Sequence, residues 1–144
     1  MAMSLRLYIA ASSQDAAERL RHELEQRGHA CTARWILDAN FGRRADERAK
    51  MEAAVMDLED VSAASDGLIL LSENEGVMVP GGKHVEMGFA LAKGYPVYVI
   101  GRLENTLQYH SSVTQCATLE TFLAHLDVLA AGSASLGTAR SDLH

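Results

Sequence analysis

The chain is poor in the residues that crosslink, stiffen or embed a protein. Its 144 residues include two cysteines and two prolines, and Cys31 and Cys116 stand in no C-x-x-C or C-x-x-H spacing. A disulfide framework is therefore excluded, and zinc or thiol redox work is not expected. The cysteines read as buried thiols of a reducing compartment. Cationic side chains are the minority, 13 against 19 acidic ones, for a formal charge of -6. No general positive field exists to hold a polyphosphate backbone, so nucleic acid is not an expected partner. Long apolar runs are missing too: stretches such as 67–71 and 89–92 fall far below the roughly 18 residues that a membrane span needs. The opening Met1-Ala-Met-Ser-Leu-Arg lacks the layout of a signal peptide. A cytoplasmic protein without membrane contact is expected.

What remains has the balance of one ordinary domain, 48% apolar and 22% charged, and a chain of this length buries roughly 68–70% of its unfolded surface. Residues 5–11 read as a strand running into Ser12-Ser13-Gln14-Asp15, where Ser12 and Asp15 stand at capping-box spacing. The helix that follows carries Ala16, Ala17, Leu20 and Leu24 on one stripe and stops at Gly28. A short second strand over 29–34 and an irregular loop over 35–44 come next. Met51, Ala54, Val55, Leu58 and Val61 then repeat at helical spacing, which predicts a helix packed on that stripe. An apolar run over 66–71 has the length of a buried parallel strand. After a loop over 72–80, a helix spans about 83–93 and closes at Gly94, followed by a strand over 97–100. A last strand over 113–117 precedes a helix bearing Leu119, Phe122, Leu123, Leu126 and Leu129.

This alternation predicts an α/β, doubly wound layer of flavodoxin-like or Rossmann-like type, with a parallel sheet of about five strands. One domain occupies residues 1–130, and 131–144 form a frayed tail. Ligands of such sheets sit beyond the carboxyl ends of the strands, so the loops after Ala11, Leu71 and Ile100 are where a site is sought.

Common cofactor signatures are missing from those loops. A Walker loop fails because Lys83 is followed by His84, and the first turn, Ala10-Ala11-Ser12-Ser13, has no G-x-G-x-x-G. No H-E-x-x-H occurs and the six histidines are scattered, so neither a metal nor another cofactor is expected. Glu86 stands out. It lies in the opening turn of a helix that is apolar nearly all round, which predicts burial, and helix-start N–H groups would stabilise its charge. It is either a site carboxylate or a helix-start glutamate without chemistry. Helical arithmetic places Asp57 on the flank of its helix, within reach of a cleft, and Asp60 nearly opposite, toward water. Tyr8 and Trp35 end the first two strands and either line the cleft or belong to the core. Asn105, in Leu103-Glu-Asn-Thr-Leu107, reads alone as a turn residue.

Taken together, Tyr8-Ile-Ala-Ala-Ser, Asp57-Leu-Glu-Asp-Val, Ser65-Asp-Gly-Leu-Ile-Leu, Gly81-Gly-Lys-His-Val-Glu-Met-Gly-Phe-Ala-Leu-Ala and Gly101-Arg-Leu-Glu-Asn resemble the nucleoside 2-deoxyribosyltransferase family. The similarity runs from about residue 5 to 126. It implies Glu86 as the nucleophile, Tyr8 as the hydrogen-bonding residue that orients it and Asp57 as the acid that protonates the departing base. It further implies that Asn105 is donated by a neighbouring subunit to hold the sugar hydroxyl, so that the protein is a homo-oligomer. Ser12, Trp35, Gly82 and His84 are the expected substrate contacts, and a nucleoside or nucleotide and a free nucleobase the expected partners.

Two positions depart from the family pattern. Asp57 stands one residue further from Asp66 than is common, which leaves Asp60 as the alternative acid. Pro80 occupies the place of a base-reading aspartate, for which Glu73 or Glu75 could substitute. The implied chemistry is retaining: a carboxylate traps the oxocarbenium-like sugar, while an acid of raised pKa delivers a proton to the base. On this scheme Glu86 stays ionised. The alternatives are a 2'-deoxynucleoside 5'-monophosphate N-hydrolase, with Ser12, Ser13, Lys83 and His84 near the phosphate, and a non-catalytic nucleotide sensor.

Overall fold

Five short strands, β1 (Arg6–Ala10), β2 (Ala30–Cys31), β3 (Gly67–Leu71), β4 (Val97–Ile100) and β5 (Val113–Cys116), form one sheet. Their order is β2-β1-β3-β4-β5 and every neighbouring pair is parallel. Four helices connect or follow them: α1 (Gln14–Gln26), α2 (Glu47–Ala63), α3 (Gly82–Ala92) and α4 (Leu119–Ala131). This is the expected doubly wound α/β layer. The computed structural model describes residues 3–43, 46–73 and 81–132; most of the expected tail, 133–144, lies outside them. Among the described residues no helix is long and apolar enough to cross a membrane.

The register follows from burial. β1, β3 and β4 are central, and Leu7 to Ala10, Leu68 to Leu70 and Val97 to Val99 are all buried, as strands covered on both faces require. α1 and α4 meet at their ends, where Arg27 Nε donates to Asp127 Oδ1 at 3.2 Å. α2 and α3 pack against each other, and Tyr8 of β1 reaches α3. Cys31 and Cys116 sit on the two opposite edge strands, too far apart to pair. Burial raises both thiols, Cys31 to about 11.

Local chemistry adjusts several expected elements. The cap of α1 is Ser13, whose hydroxyl accepts from Ala16 N at 3.1 Å; the expected Ser12 lies one residue outside and is left facing the sheet end. Gly28 closes α1 with φ 83 and Gly94 follows α3 with φ 77, a left-handed geometry that glycine adopts without strain. The second strand is two residues long, not six, because the chain leaves the sheet after Thr32. The N–H of Arg34 turns away from β1 to the Asp60 carboxylate, and a 3-10 turn runs over Arg34–Leu37.

α2 is rotated from its expected packing. Met51, Val55 and Leu58 are 62%, 54% and 38% exposed, while Asp60 and Val61 are buried. Met51, Ala54, Val55 and Leu58 of the expected stripe therefore face outward while Val61 alone of it is buried, and Asp60, expected toward water, points inward. α3 is likewise not buried all round: Met87 and Ala90 are buried but Val85 is exposed.

Gly67 opens β3 at φ 141, and a Cβ there would lie 2.9 Å from Tyr98 Cε2 and 3.0 Å from the Pro96 carbonyl oxygen. Gly67→Ala is expected to lower stability by roughly 1–3 kcal/mol through backbone strain and overlap. A urea midpoint equal to that of the parent chain, at unchanged slope, would contradict this.

Candidate active site

The sheet order reverses at β1. The chain leaves β1 toward β2 on one side, and β3 lies on the other, so the segments beyond their carboxyl ends diverge and open a crevice. A cavity of about 410 Å³ fills it. Ala11 and Ser12 from the end of β1 form one wall, and Trp35 and Phe41 from the segment after β2 form the next. α2 contributes Ala54, Asp57 and Leu58, and the start of α3 contributes Gly82, Val85 and Glu86.

Glu86 is the centre of this arrangement. Tyr8, fully buried in β1, donates its phenolic hydroxyl to Glu86 Oε2. Burial pushes the Glu86 carboxyl up to about 7, the Tyr8 hydrogen bond opposes that rise and the nearby charge of Asp57 adds to it. Glu86 is the fifth residue of α3, beyond the opening turn expected for it, and the expectation that it simply stays ionised gives way to a carboxyl that burial makes titrate near neutrality. Tyr8 itself is raised, first by burial and then by the Glu86 charge, so it remains a proton donor in the hydrogen bond. Asp57 lines the same cavity, and its charge acts on both. Two coupled carboxylates in one crevice are a common setting for acid–base and nucleophilic work.

Trp35 is buried with its indole N–H donating to the Ile9 carbonyl at 3.0 Å. Phe41 stands edge-on to it, ring centroids 4.9 Å apart. Phe41 was invisible to pattern reading because it sits in an aperiodic stretch. Its one signal is an aromatic amid small and polar neighbours.

Asn105 and His84 lie outside the cavity lining and meet each other, Asn105 Nδ2 lying 3.1 Å from His84 Nδ1. The amide oxygen Oδ1 of Asn105 is buried and makes no hydrogen bond among the described residues. Burial, followed by the charge of Lys83, lowers the pKa of His84. Lys83 does not present its ammonium to a ligand. Its side chain is fully buried, donating to Glu104 Oε1 at 2.9 Å and to the Leu71 carbonyl at 3.2 Å, with Glu73 Oε1 at 3.8 Å. It fastens the first turn of α3 to the ends of β3 and β4, and Glu73 belongs to that fastening. Ser13 is engaged as the α1 cap. Of the four groups considered for a phosphate, Ser12 alone reaches the cavity. Glu75 and Pro80 lie outside the described residues.

Asp60 accepts from Arg34 N at 2.9 Å and Arg34 Nε at 2.8 Å and does not line the cavity. Among the described residues no group of three or more histidine, cysteine, aspartate or glutamate side chains is placed to hold a metal ion. The chain matches no protein-family model, and no curated protein matches it.

The raised Glu86 carboxyl has a stability consequence. The folded chain holds this proton more tightly than the unfolded chain, so stability is fullest below about pH 4.5 and falls as pH rises through about 7. Glu86→Gln removes that loss. It is expected to be more stable than the parent by roughly 3 kcal/mol at pH 8 and to lose this advantage near pH 4. Parallel denaturation curves for the two proteins across that range would refute the burial argument.

Proposed function

We propose that the chain transfers 2-deoxyribose between nucleobases, with Glu86 as nucleophile. The observation that carries this reading is the Glu86 carboxylate held at the cavity by Tyr8, with Asp57 lining the same space. The resemblance of the sequence motifs to nucleoside 2-deoxyribosyltransferases implies roles for these same three residues. In the first step a Glu86 oxygen bonds to C1′ of the sugar as the N-glycosidic bond breaks. In the reacting form the proton of the carboxylate pair resides on Asp57 and Glu86 is ionised, and the base leaves with the electron pair of the broken bond and takes this proton from Asp57. In the second, a ring nitrogen of an incoming base attacks C1′, the glutamyl ester breaks with its electron pair returning to the Glu86 carboxylate, and Asp57 takes the proton that this nitrogen carried. Both steps pass through an oxocarbenium-like sugar, which the Glu86 carboxylate stabilises.

The aromatic corner of Trp35 and Phe41 suits a flat base, and Ser12 and Gly82 lie where the sugar would rest. The engagement of Lys83 with Glu104 argues against a 5'-phosphate held at that point. The residues provide this chemistry without a cofactor. The acidic charge and the separated thiols are in keeping with a cytoplasmic enzyme that acts on single nucleosides and not on nucleic acid strands.

Incubation with deoxyadenosine and free cytosine is expected to yield deoxycytidine, and Glu86→Ala to yield none. Free adenine with free deoxyribose would instead identify a hydrolase, tested in parallel on deoxynucleoside 5'-monophosphates. No turnover of any of these would remove the enzymatic reading in favour of a nucleotide-binding module.

The proposal includes a homo-oligomer. Met51, Val55 and Leu58 form an outward apolar stripe on α2, and exposed Val85 of α3 stands beside it at the cavity. A second copy covering this face would shield the crevice and bring a neighbour's Asn105 toward the sugar. Val55→Asp, a change outside the cavity lining, is expected to convert the protein to monomer in light scattering and to reduce transfer at least about tenfold. A parent protein that is monomeric and fully active would overturn this part.

A further inference from the structure

The carboxylate of Asp60 is 5% exposed and lies away from the cavity, one helical turn beyond Asp57 on α2. Its oxygens are committed. Oδ2 accepts the backbone N–H of Arg34 at 2.9 Å, and Oδ1 accepts the Arg34 guanidinium at 2.8 Å. Its backbone carbonyl accepts the Thr32 hydroxyl at 2.7 Å. All three contacts fall on the segment immediately before Trp35. They hold against α2 the point where the chain leaves β2 and begins the Arg34–Leu37 turn.

Trp35 is then fixed from two further directions, by its own N–H on the Ile9 carbonyl and by the edge of Phe41. With the indole N–H consumed, that wall meets a ligand through the ring and not through a hydrogen bond. A carboxylate suits the position because one group accepts from a backbone N–H and a guanidinium at once, whereas an amide would set its NH₂ against one of these donors.

We infer that Asp60 is a positioning residue that, through Arg34, fixes the plane of Trp35 and thereby the fit of a planar aromatic ring in the cavity. The pair Asp57-Leu-Glu-Asp60 divides its labour: the first carboxylate faces the cavity, and the second holds the wall. The ring-binding part rests on the proposed nucleoside chemistry; the clamp itself does not.

Trp35 is the only tryptophan in the chain, so its fluorescence reports this wall directly. Asp60→Asn, with the other contacts intact, is expected to red-shift the emission of the folded protein and to increase its quenching by acrylamide. The Kd for adenine and the KM for deoxyadenosine rise about tenfold, with kcat altered far less. Arg34→Ala removes a half-exposed side chain and leaves the backbone N–H on Asp60. It is expected to give the same changes in smaller measure, and it serves where Asp60→Asn fails to fold. Asp57→Asn is expected to do the reverse, lowering kcat with the fluorescence unchanged. A folded Asp60→Asn protein with parental emission, quenching and adenine affinity would overturn the proposal, even if its denaturation midpoint fell. If the parent turns over no nucleoside, the deoxyribosyl reading fails, while the emission and quenching of Asp60→Asn still decide the clamp.

Discussion

The hydrogen bond from Tyr8 to Glu86 joins the central strand β1 to the first turns of α3, groups 78 residues apart in sequence. Every other feature of the crevice is arranged around that contact. Tyr8 is held in a strand buried on both sides, and Lys83 ties the start of α3 to the ends of β3 and β4. Glu86 is consequently desolvated without a cation, and its proton affinity rises to the range in which biological pH divides it between two forms. A protein with no use for such a group would lower its free energy by replacing it, which is the physical reason to read the crevice as functional.

The surrounding charges are segregated. Lys83 is paired with Glu104, near Glu73, and Arg34 with Asp60 and Glu59. Both cations thereby steady the scaffold, and neither appears among the influences on Glu86. The charge of Asp57, which lines the cavity, raises the proton affinity of Glu86. Scaffold ion pairs and site carboxylates thus occupy adjacent turns of the same two helices.

Much of this was legible in the sequence, and the exceptions have physical causes. Strand number, order of elements and the helix ends at Gly28 and Gly94 followed from period and from backbone permissiveness. Tyr8, Asp57, Glu86, Ser12, Gly82 and Trp35 all reach the crevice, Tyr8 through its bond to Glu86. Periodicity identified the stripe that includes Met51, Val55 and Leu58 but is blind to what covers it, and a helix that buries Asp60 beside Val61 leaves those three outward. The same carboxylate shortened β2, since the Arg34 N–H went to a side chain 26 residues further along the chain and not to the ladder. Phe41 and the Lys83–Glu104 pair were unreadable because they depend on loops meeting in space.

The brevity of β2 bears on how the protein behaves when crowded. An edge strand with a long row of free backbone groups is a template on which another chain can extend the sheet. Here one edge is two residues long and bends at once into a tight turn, and the other is the four-residue β5. The ladder offered to a foreign strand is therefore short at both margins, which disfavours fibrillar stacking through the sheet edges.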